Sequence, residues 1–227
     1  MRAQSHVRAT LLALLPLCDA HGRADAGVGM HWRRPDRSAL VDGVDIDYVV
    51  GNSTYQGYWA VPKSGTGAIK GGLLIAHQYM GLIDYEKARA DEFAASGFGV
   101  FALDVYGKGV RCNTSDCARA TMQKALSDIP KLRGLINAGA EKLLSQWGDH
   151  ADPSKLVAMG YCFGGSMVLE LARHPKKGAS DGLTFAAVSS IHGTLTPYSD
   201  EAAAEGEVQT RIQAHHAELD FQVSARQ

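Results

Sequence analysis

The sequence predicts one α/β domain built on a mainly parallel sheet with helices on both faces. Three observations carry this reading. Apolar runs at 71–76, 98–103 and 155–159 are bounded by turn residues, helical patterns lie between them, and Gly160-Tyr161-Cys162-Phe163-Gly164-Gly165 passes from the last run directly into a helical pattern at 166–173. Short continuous apolar runs mark strands buried on both faces, and their alternation with helices marks parallel units. In such sheets ligands bind at the carboxyl ends of the strands.

Length and composition set the class. The chain has 227 residues, 45% of them hydrophobic and 21% charged, so it can bury a substantial core. Its net charge is -1 and neither sign is gathered into a long run. The basic footprint of a nucleic-acid binder is missing, and a small molecule is the expected partner. Residues 1–30 read as a leader. Arg2 and Arg8 precede a short apolar stretch at 11–18, and Ala24-Asp25-Ala26 offers small residues for cleavage, while Pro16, Asp19 and His21 fit a secretory signal poorly. A functional signal would send the protein to the secretory pathway, and otherwise a cytoplasmic location is expected. The stretch is too short to span a bilayer, and no other segment reads as membrane-spanning.

From there the elements follow in order. Val44, Ile46, Tyr48 and Val50 alternate with small or polar residues, Gly51-Asn52-Ser53-Thr54 turns, and 55–61 resumes an extended pattern that Pro62 stops, which together predict an edge hairpin. The buried strand at 71–76 leads into a loop at 77–82. Asp84 is placed to cap a helix over 85–96 that Gly97 ends. A second buried strand at 98–103 closes in Asp104-Val105-Tyr106-Gly107-Lys108-Gly109. Residues 110–118 read as a loop, and 120–144 as a helical stretch interrupted by Pro130. After the Cys162 turn come a strand at 184–191, a short helix at 198–204 and a strand at 208–216.

The cysteines divide by context. Cys112 and Cys117 stand close together and could pair in an oxidising compartment, which would leave Cys162 outside the bridge. They have no neighbouring His or Cys pair to complete a zinc set, and no cofactor is implied. A thiol redox protein is disfavoured by the lack of a C-x-x-C. Asn52-Ser53-Thr54 and Asn113-Thr114-Ser115 fit the glycosylation acceptor, a pattern short enough to arise by chance.

Cys162 is the sharpest chemical signal. A thiol on a tight strand-to-helix turn has the layout of a nucleophile elbow with sulfur in place of oxygen, and the helix N-terminus beside it favours the thiolate. The plainer reading is a buried structural cysteine among packing glycines.

The Cys162 turn, the loop at 77–82, the turn at 104–109 and His215-His216-Ala217-Glu218-Leu219-Asp220 resemble the dienelactone hydrolases, in order and at compatible spacing, from about residue 41 to the end. The resemblance implies an α/β-hydrolase fold and opening of lactones or small carboxylic esters through a Cys-His-Asp triad. It assigns Cys162 as nucleophile, Asp220 as the triad acid, the backbone N–H groups of Phe163 and Tyr79 as the oxyanion hole, and Gln78 and His77 to the pocket. Gln78 stands where members often carry a Glu that helps control the thiol, and an amide cannot ionise. No histidine follows Asp220, so the last strand and helix of the fold are expected to be missing and catalysis impaired. His77 is the foremost substitute base, with His192 and His216 also near strand ends. The alternative is a non-catalytic binding protein on the same fold. Lys108, Arg111 and Arg119 are candidate anion contacts. Substrate identity and oligomeric state are not encoded in any motif.

Overall fold

The computed structural model describes residues 34–63, 69–173, 183–198, 203 and 206–217. The leader, Asp220 and most of the helix expected at 198–204 lie outside the described residues.

Seven strands form one sheet: β1 (Val41–Val50), β2 (Ser53–Pro62), β3 (Gly72–Ala76), β4 (Gly99–Leu103), β5 (Leu156–Tyr161), β6 (Ala187–Ile191) and β7 (Arg211–His215). Their spatial order is β1-β2-β4-β3-β5-β6-β7. The hairpin β1–β2 is antiparallel and joins β4 antiparallel, while β4, β3, β5, β6 and β7 run parallel. The mainly parallel sheet and the edge hairpin are as the sequence predicts.

The apolar runs behave as expected of central strands. Every residue of β3 and β4 is buried, and alternate residues feed opposite cores. Leu73, Ile75, Val100 and Ala102 pack with Ala90 and Ala94 of α1 (Asp84–Ala95) on one face. Leu74, Ala76, Phe101 and Leu103 pack on the other with α3 (Ile129–Trp147) and α4 (Phe163–Arg173). In α3 the stripe Leu132, Leu135, Ile136, Gly139, Ala140, Leu143 has the spacing of a one-sided helix. Full burial of a side chain such as Leu74 contributes roughly 2 kcal/mol before entropy is counted.

Some element boundaries differ from expectation for a local reason. Asp84 is the first residue of α1, not its cap; Ile83 occupies the cap position, and the Glu86 carboxylate accepts the Ile83 N–H at 3.2 Å. The expected loop at 110–118 already contains the start of α2 (Ser115–Leu126), because Thr114 Oγ1 accepts the Cys117 N–H at 3.3 Å and opens a helix there. The proline interruption proves to be a boundary between two helices. Asp128 caps α3 by accepting the Lys131 N–H at 3.0 Å, and Pro130 sits in the first turn, where its missing N–H costs nothing.

Toward β7 the burial changes. In β6 only Val188 and Ser190 are buried, and all five residues of β7 are exposed, Ile212 among them. Among the described residues no helix is long and apolar enough to cross a membrane.

Candidate active site

Cys162 sits between the last residue of β5 and the first of α4 with φ 54°, a left-handed conformation that costs a non-glycine residue about 1–3 kcal/mol. Its surroundings hold it there. The Cys162 N–H donates to the Ile191 carbonyl at 2.8 Å, and its carbonyl accepts the Ser166 N–H at 3.1 Å. The neighbouring glycines allow backbone to touch backbone. A Cβ at Gly160 would lie 2.1 Å from the Gly164 oxygen, one at Gly164 would lie 2.2 Å from the Ala76 oxygen, and one at Gly165 would lie 2.9 Å from the Gly193 nitrogen. The turn is thus wedged between the ends of β3 and β6. Its thiol is partly exposed and stands outside the Cys112–Cys117 disulfide, whose Cα atoms are 5.6 Å apart.

Phe163 opens α4, so its N–H is among those a helix N-terminus leaves without an intrahelical acceptor. Tyr79 lies on the loop after β3, the strand paired directly with β5. The Tyr79 carbonyl accepts the Tyr106 hydroxyl at 2.9 Å, and the Tyr106 ring stacks on Phe163 at 5.9 Å. Tyr106 therefore ties the loop, the turn after β4 and the start of α4 together. Its phenol is pushed up by burial, with the nearby Cys162 contributing.

His77 is bound into the loop backbone. It is fully buried, its Nε2 accepts the Val105 N–H at 3.3 Å, and its Nδ1–H donates to the Gln78 carbonyl at 2.6 Å. Burial holds its pKa down to about 4, so it is a neutral brace between the loops after β3 and β4. Gln78 is half-buried, and its Oε1 accepts the Met80 N–H at 2.8 Å, which fixes the loop on either side of Tyr79.

Other buried polar groups shape the loops around the turn. Asp104, fully buried, accepts the N–H groups of Tyr106 and Gly107 at 3.0 and 3.2 Å with Oδ1 and that of Gln56 at 3.2 Å with Oδ2, so it shapes the turn after β4. Glu170 is buried in α4, bonded to Arg133 at 2.8 Å and to the Tyr198 N–H at 3.0 Å, while Thr194 N–H donates to Ser166 Oγ at 2.9 Å. These bonds hold the loop after β6. Tyr198 in that loop has its phenol raised by burial, again with Cys162 among the causes. A carboxylate inside the apolar run Met167-Val168-Leu169-Glu170-Leu171-Ala172 was the available sequence signal.

The candidate anion contacts have protein partners: Lys108 pairs with Asp47, and Arg111 lies 3.7 Å from Asp104. Arg119 lies on the exposed side of α2. Among the described residues no group of three or more His, Cys, Asp or Glu is arranged to hold a metal ion. A cavity of about 700 Å³ lies at the β1–β2 edge, lined by Arg34, Val41, Tyr58, Trp59 and Asp91, strands away from Cys162.

The chain is similar to known proteins. The model of the dienelactone hydrolase family matches residues 55–227. The chain belongs to the dienelactone hydrolase family. Two solved structures are each 27% identical to it: m3DLH, with a TM-score of 0.70, and a dienelactone hydrolase-like promiscuous phosphotriesterase from metagenomic libraries, with a TM-score of 0.69. Each alignment covers 82% of this chain and 73% of the other. A protein of Klebsiella pneumoniae assigned to the same family shares the fold at 14% identity and a TM-score of 0.61, over 81% of this chain and 75% of that one. No curated protein matches the chain. The fold is therefore the α/β-hydrolase fold, and family membership makes the protein a hydrolase acting on ester bonds.

Proposed function

We propose that the protein opens lactones or small carboxylic esters by acyl transfer to Cys162. The sulfur attacks the carbonyl carbon, the carbonyl π electrons move onto oxygen, and the resulting oxyanion is received by the Phe163 and Tyr79 N–H groups. Collapse expels the alkoxide, which takes up a proton, and leaves a thioester; water then cleaves the thioester to a carboxylic acid and restores the thiol. Preset donors of this kind contribute about 10²–10³ in rate per group.

The observation that carries the reading is the Cys162 geometry: a non-glycine residue held at φ 54°, immediately before a helix N-terminus, by glycine contacts that admit no side chain. Asp220 is the acid that would orient a base in this scheme. That base, by family resemblance, is a histidine that follows the acid in the chain. His77 cannot replace it, since both ring nitrogens are engaged away from the thiol. An activated phenolate leaving group needs no protonation, whereas cleavage of the thioester draws on a base to activate water.

Mixing the protein with 4-nitrophenyl acetate tests this. The expected trace is a burst of about one nitrophenolate per chain followed by slow turnover, and no burst from Cys162→Ala. Equal release from both proteins would remove Cys162 from the reaction. Release from neither would favour a non-catalytic binding protein on this fold. A phosphotriester belongs in the same panel because one 27% identical relative carries that name.

A further inference from the structure

Glu86 is a fully buried carboxylate that the reaction above does not use. It lies in the first turn of α1, and its oxygens point back at the loop after β3. Oε1 accepts the Gln78 N–H at 3.4 Å and Oε2 accepts the Ile83 N–H at 3.2 Å. The Gln78 side chain also hydrogen-bonds to it. Gln78 in turn accepts the Met80 N–H at 2.8 Å, and the Met80 carbonyl accepts the Cys112 N–H at 3.2 Å. Residues 78 and 80, which flank Tyr79, are therefore tied to this one carboxylate directly or through a single link.

We propose that Glu86 is the positioning residue of the 78–83 loop, aiming the Tyr79 N–H at the oxygen that becomes negative when Cys162 attacks. This rests on the reading of Cys162 as nucleophile. Loop closure and ionisation of that carboxyl are linked, and the loop is tightest in the protonation state that the closed form favours. Burial raises Glu86 to about 7, against the N–H bonds from Ile83 and Gln78, so the closed loop favours the protonated carboxyl and loosens as pH rises through neutrality. The charged and titratable groups around it are placed as follows. Tyr161 of β5 meets it, and Tyr85 and Arg89 flank Tyr161 from α1 itself. From β1 and β2, Asp45 is paired with Lys87, and Tyr58 with Asp91 and Arg34. At the ends of β3 and β4 stand neutral His77 and Asp104.

The test compares wild type, Glu86→Gln and Glu86→Ala from pH 5.5 to 9. Three quantities are measured: the 4-nitrophenyl acetate burst rate and its half-saturating concentration, the rate of Cys162 alkylation by iodoacetamide, and amide-exchange protection of residues 78–83. Glu86→Ala is expected to slow the burst at least tenfold at pH 8 with half-saturation changed less than twofold, and to lower protection. Glu86→Gln is expected to lose a fall in protection of 78–83 centred near pH 7 while keeping the wild-type alkylation profile, which belongs to the thiol. A wild-type pH profile in Glu86→Gln, or wild-type protection of 78–83 in either folded variant, would overturn the proposal. If Glu86→Ala does not fold, the Glu86→Gln profiles decide. Failure of the underlying reading is separate: it shows as a burst that survives Cys162→Ala or as no burst in any protein, and the protection profiles then decide the role of Glu86 alone.

Discussion

The turn after β5 and the loop after β3 lie side by side at the carboxyl ends of paired strands, yet they are held in opposite ways. The Cys162 turn is fixed by missing atoms: Gly160, Gly164 and Gly165 let main chain press on main chain, and no charge is involved. The 78–83 loop is fixed by added polar groups, with Glu86 and Gln78 bonding its N–H groups and His77 and Tyr106 its carbonyls. The first device is rigid at any pH. The second responds to protonation, so the two halves of the proposed site should separate under mutation and under acid.

The largest effect is expected from adding one carbon to the glycine turn. Gly164→Ala puts a Cβ 2.2 Å from the Ala76 oxygen, where neither backbone can yield without parting β3 from α4. A loss of about 3 kcal/mol or more is expected, equal at pH 5 and pH 8, read from denaturant midpoints. A loss under 1 kcal/mol would show that the turn is not wedged as described.

A smaller and pH-dependent effect is expected at the loop. His77 has an ordinary pKa near 6.5 in the unfolded chain and about 4 when folded. The folded state therefore binds fewer protons between those values, and the stability His77 contributes is present above about pH 6.5 and lost as pH falls toward 4. Glu86 slopes the other way. Its folded pKa of about 7 exceeds the ordinary 4.5, so its contribution is fullest below about 4.5 and declines as pH rises through 7. His77→Gln should lower stability at pH 8 by about 2 kcal/mol, through lost buried hydrogen bonds, and flatten the acid slope below pH 6.5. An unchanged acid slope in His77→Gln would mean that another group governs it.

The same contrast explains what could be read from the sequence. Glycines around a cysteine between an apolar run and a helical pattern fix backbone geometry within a few residues, so the turn, β3, β4 and β5 and the parallel architecture were all legible locally. The brace was not, because its parts are brought together by topology: His77 meets Val105, Arg133 meets Glu170, and Tyr48 meets Asp104 only once the strands have paired. Pattern also misplaced helix starts where an unusual group does the capping. Glu86 reaches back to Ile83 although Asp84 looks like the cap, and Thr114 opens α2 inside an apparent loop.

The most direct test of the proposed acyl transfer is to quench a reaction with 4-nitrophenyl acetate in acid and locate the acetyl group by peptide mass spectrometry. One acetyl group on the peptide carrying Cys162 is expected, labile to hydroxylamine as a thioester is, and absent from Cys162→Ala. An acetyl group found on another residue, with Cys162 unmodified throughout the burst, would contradict it.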